Sequence, residues 1–177
     1  MLVFLRPIVN ATTPSQAAPL IRVDLTAADF AANWQQCDRV ANYLARTVSS
    51  DRPDTFLHAN LLSTALNELF EIAFVQHRAG GKIICELLRS GPADRVELTI
   101  PVDAAHRTYY RKQVAFIHSG DVATLYSTAL LGEADPDIAI GLLELAADYG
   151  AVITLDETLD DAHVRLVVEM HLGTPAA

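Results

Sequence analysis

The segment LLSTALNELFEIAFVQH (residues 61–77) carries the side chains best spaced for chemistry. On a helix, Thr64, Glu68, Ile72 and Val75 recur at three- and four-residue steps and share one face. Glu68 and Glu71 offer carboxylate oxygens, and magnesium can be held by one or two carboxylates completed by phosphate and water. Ile72, one turn beyond Glu68, offers a hard cation no oxygen. The plain alternative for Glu68 is a solvated helix carboxylate. A second candidate lies at Ala139 to Gly141, where AIGLLELAADYG opens a helix. Phosphate binding needs clustered backbone N–H groups at a glycine-permitted turn or helix start. Gly141 suits that role, and equally suits a small residue where a helix crosses a sheet.

The other reactive residues are poorly arranged. The six histidines (His58, His77, His106, His118, His163 and His171) form no HxxxH or HxH pair, and are expected to be solvated or singly hydrogen-bonded. Cys37 and Cys85 are far apart and read as reduced, packed thiols. No GxSxG elbow is present. YYRKQ (109–113) mixes aromatic and basic residues as single-strand binders do, but one cluster in an acidic protein reads as an exposed helix turn. Asp156, Glu157, Asp160 and Asp161 read as a solvated hairpin tip, without the spacing or glycine of a calcium loop.

The elements that must hold these residues follow from periodicity. LIRVDL (20–25) alternates apolar and polar residues and predicts a half-buried strand. Thr26 can cap a helix, with Asp29 three residues on. A helical pattern then runs to residue 48 through Trp34, Cys37, Val40, Ala41, Leu44 and Ala45. SSDRPD (49–54) is a loop. The next helix covers 55–78 and stops at Gly80-Gly81. KIICELLRS (82–90) and RVELTIPV (95–102) form a hairpin across Gly91-Pro92. Helical pattern returns over 104–131 with a break at Ser119-Gly120-Asp121. GEADPD (132–137) is a polar turn, with Asp135 or Asp137 available to cap a helix over 138–150. AVITLDE and HVRLVVEMHL form a last strand pair across TLDDA. The economical packing is α+β, a two-layer sandwich of a mixed, mainly antiparallel sheet with helices on one face.

Composition narrows the function classes. The chain has 177 residues, of which 51% are hydrophobic and 20% charged, so it should fold as a globular unit. Twenty-two acidic against 13 basic residues give a formal charge of -9, which argues against general nucleic-acid binding. The apolar start MLVFLRPIV is interrupted by Arg6 and Pro7 and lacks a basic leader, so no signal peptide is expected. No apolar run reaches the ~20 residues that span a bilayer. A cytoplasmic protein is expected. Residues 1–19 read as an arm with a short strand at 2–5, residues 20–172 as one domain and 173–177 as a tail.

Two motifs in this order carry a resemblance. Asn67-Glu68-Leu69-Phe70-Glu71-Ile72-Ala73 resembles the NELxENA-like helix of the GHKL ATPase superfamily. The segment from Ala139 through Gly141 to Asp148-Tyr149-Gly150-Ala151 resembles its late GLGLLxLxxDYGA-like segment. The chain is similar above all to small bacterial stand-alone regulators related to anti-sigma-factor serine kinases, and LTAADFAANW (25–34) resembles their entry segment. The resemblance implies a histidine-kinase-like ATPase fold over residues 20–172, with Glu68, Ile72, Ala139 and Gly141 at the nucleotide position. It implies that an Asn holding magnesium should stand where Ile72 is, that a glycine should stand where Ala139 is, and that an Asp-x-Gly-x-Gly loop should contact adenine. The first two are replaced here and the third is missing. The expectation is therefore a signalling regulator with a degraded site, with no cofactor, binding a protein such as an anti-sigma-factor-antagonist-like domain and able to form a homodimer. The alternative is a protein serine kinase that binds ATP and magnesium through unorthodox ligands, with Glu68 as its catalytic residue. A third reading is a sensor whose pocket takes an apolar small molecule.

Overall fold

The computed structural model describes residues 19–26, 35–76, 81–132 and 139–173. Its strands are β1 (Ile21–Thr26), β2 (Lys82–Ser90), β3 (Ala93–Pro101), β4 (Val152–Asp160) and β5 (His163–Met170). They form one sheet in the order β1-β2-β3-β5-β4. Every neighbouring pair is antiparallel, so the sheet expected to be mixed is antiparallel throughout among the described strands. The connections explain this. A helix pair, α1 (Gln35–Ser49) and α2 (Thr55–Gln76), returns the chain from β1 to the end it left. Three helices, α3 (Ala104–Ile117), α4 (Val122–Leu130) and α5 (Ile140–Asp148), carry it from β3 to the opposite end, and the β4–β5 hairpin then lays β5 beside β3.

Strand alternation sorts the faces. Val23, Cys85, Leu98, Leu166 and Leu155 pair in one row across all five strands, and Ile21, Leu87, Val96, Val168 and Ile153 in the next. These rows meet the helical layer in a single apolar core. The other face is polar. Glu86 and Glu97 stand directly opposite each other, a repulsive pairing. Arg22 offsets it on Glu86 (3.2 Å), while Arg95 (2.6 Å) and Arg165 (3.3 Å) hold Glu97.

On α1 the buried residues Cys37, Ala41, Leu44, Ala45 and Val48 make one stripe. α2 is buried more widely: Leu62, Leu66, Leu69, Phe70 and Ala73 are closed from solvent. α1 flanks it on one side and the core lies beneath. Asp54 accepts the Leu57 N–H at its start, as Asp103 does for α3 and Asp121 for α4. Leu131 and Gly132 end α4, and Gly150, at φ +58, follows α5. Thr26 belongs to β1. Trp34, Asp29, Asp135, Asp137 and the arm at 1–18 lie outside the described residues, as do 77–80 and 174–177.

Candidate functional site

α2 and α5 meet at the two positions the sequence singled out. Glu68 lies directly against Gly141: a Cβ built on that glycine would collide with Glu68 Oε2 and sit 3.5 Å from the Glu68 Cβ. Gly141 is the second residue of α5, so the Glu68 carboxylate stands beside the first turn of that helix, where the helix dipole favours an anion. One turn earlier on α2, the Thr64 hydroxyl, which donates to the Asn60 carbonyl at 3.1 Å, is hydrogen-bonded to the phenol of Tyr149, which follows α5. One turn later, Ile72 is buried (8% exposed) and belongs to the core. The side chain of Val75 lies outside the described residues.

The start of α5 is also closed from a second side. Ala139 precedes the helix and has no side chain that could cap it. Its backbone N–H donates to Oε1 of Gln113 from α3 at 2.8 Å, and the Leu142 N–H closes back on the Ala139 carbonyl. Gln113 is buried, so a side chain from another helix takes the N–H that a loop anion would use. The sequence reading placed Gln113 in an exposed turn. Instead Tyr110 and Gln113 face inward while Arg111 and Lys112 face out. The three-residue step through Tyr110, Gln113, Val114 and Ile117 was the available signal.

The seam is electronegative. Burial raises the Glu68 carboxyl above the usual carboxylate range, and Glu144 and then Glu71 raise it further. Burial and Glu144 likewise raise the phenols of Tyr126 on α4 and Tyr149, with Asp148 and Glu68 adding to both. Among the described residues, no group of three or more His, Cys, Asp or Glu side chains is placed to hold a metal ion.

A second polar cluster has the composition of a hydrolase triad. Ser49 Oγ lies 2.6 Å from His58 Nδ1, and His58 Nε2 lies 2.6 Å from Asp94 Oδ2. Arg52 donates to Asp94 Oδ1, also at 2.6 Å. Ser49, His58 and Asp94 are all closed from solvent, so no substrate reaches the hydroxyl. Ser49 Oγ also donates to the Ala45 carbonyl at 2.6 Å. Its single hydrogen cannot serve both contacts. Spent on Ala45, it leaves Oγ as an acceptor towards Nδ1. The cluster ties the turn between α1 and α2 to the β2–β3 hairpin, helped by Arg89, which pairs with Asp51 (2.6 Å) and donates to the Val48 carbonyl. His58 is therefore doubly bonded in the core, contrary to the sequence expectation. His106 and His163 pair with Asp103 and Asp160.

The acidic hairpin also differs from a solvated tip. Glu157 accepts from Arg111 Nε through both oxygens (2.7 and 2.8 Å), which holds its carboxyl below the usual range. Asp156 accepts the Thr158 N–H, and the strands run on to a turn at 161–162.

No helix among the described residues is long and apolar enough to cross a membrane. No family model matches the chain, and no curated protein matches it in sequence. In fold it is similar to a chain of the SiaB–SiaC complex from Pseudomonas aeruginosa, known from a crystal structure, with a TM-score of 0.58 and 13% sequence identity. The likeness covers 86% of this chain and 89% of that chain. At that identity it establishes a shared two-layer α+β fold.

Proposed function

We propose that this protein is a signalling regulator that works by binding another protein. It is built on a GHKL-type, histidine-kinase-like frame whose nucleotide position is filled by its own side chains. The observation that carries this reading is the contact of Glu68 with Gly141. In a nucleotide-binding relative, the glycine-bearing helix start and the acidic helix face would stand apart around triphosphate; here they touch. The residues present do not fit ATP with magnesium. Ile72 supplies no oxygen, Gln113 takes the Ala139 N–H, and Glu68, Glu71 and Glu144 would oppose a polyanion. A fold shared with a member of a protein–protein complex supports a protein partner, and the sequence resemblance favours an anti-sigma-factor-antagonist-like domain.

Calorimetric titration with ATP and magnesium tests the reading. No binding is expected up to millimolar nucleotide, either in the natural chain or in Ile72→Asn, because restoring one oxygen leaves the seam closed. Micromolar affinity that falls on Glu68→Ala would establish the kinase alternative instead.

A further inference from the structure

We draw no further inference here: the strongest candidate, the outer face of the sheet around Val167, has its Arg22, Arg95 and Arg165 already paired with Glu86, Glu97 and Glu169, and nothing in the structure shows what covers it.

Discussion

Removing the Asp94 carboxylate should be among the most damaging single changes to this fold. Asp94 is 1% exposed and receives two 2.6 Å contacts, from His58 Nε2 and from Arg52. In Asp94→Ala the imidazole stays buried with one donor unpaired, whereas Arg52, 16% exposed on its side chain, can partly turn to water. Hydrogen bonds to charged groups contribute about 1.5–3 kcal/mol each, and breaking a buried ion pair from one side costs about 3–5 kcal/mol. With the Arg52 contribution discounted for its access to solvent, the expected loss is about 3–4 kcal/mol. A domain of this size loses roughly 2–4 °C of Tm per kcal/mol, so the transition should fall by on the order of 10 °C. Urea unfolding followed by circular dichroism measures it, with the midpoint falling and the slope unchanged. A cycle with His58→Phe and the double variant should return a coupling of at least about 1 kcal/mol. A loss below about 1 kcal/mol in Asp94→Ala would mean that the cluster is hydrated and holds nothing together, and the reasoning would fail.

The α2–α5 seam gives two further expectations. The Glu68 carboxyl is raised in the fold by burial, Glu144 and Glu71, so the native state binds its proton more readily than the unfolded chain does. Its ionisation therefore weakens the fold above the raised value, and the penalty is relieved as pH falls towards the ordinary glutamate range. Glu68→Gln should raise the urea midpoint at neutral pH and lose that advantage near pH ~4.5; an advantage that grows in acid would contradict the sign. At Gly141, φ lies outside the left-handed region and the obstructing atom is the mobile end of Glu68. Gly141→Ala should therefore stay within about 1 kcal/mol of the natural chain, helix propensity offsetting the displaced carboxylate. Gly141→Val, whose branch meets the Glu68 stem, should lose more than alanine, as the same unfolding curves would reveal.

What could be read without coordinates was local. The KIICELLRS strand coincides with β2, the break at Ser119-Gly120-Asp121 separates α3 from α4, and the two-layer antiparallel plan follows from the order of elements. Periodicity and turn chemistry act over a few residues, and these features need nothing more. The rest depends on pairs remote in sequence. His58 meets Asp94 across 36 positions, and Ala139 meets Gln113 across 26. No spacing rule announces such meetings, because they exist only once sheet register and helix packing have placed both partners. The hairpin acids misled for the same reason: Glu157 looks solvated until α3 brings Arg111 over it.

The seam itself was legible in its parts but not in its consequence. An isoleucine at position 72 facing an open cleft would leave an apolar side chain in water. Burying a side chain of that size is worth roughly 1.5–3 kcal/mol, which rewards any movement that covers it. α5 is free to approach, because Gly141 presents no side chain to α2 and the helix start needs no anion once Gln113 supplies an acceptor. Glu68 then stands beside the first turn of α5, at the positive end of the helix. The three features support one another, since Ile72 favours closure, Gly141 permits it, and Gln113 satisfies the Ala139 N–H that closure would otherwise strand.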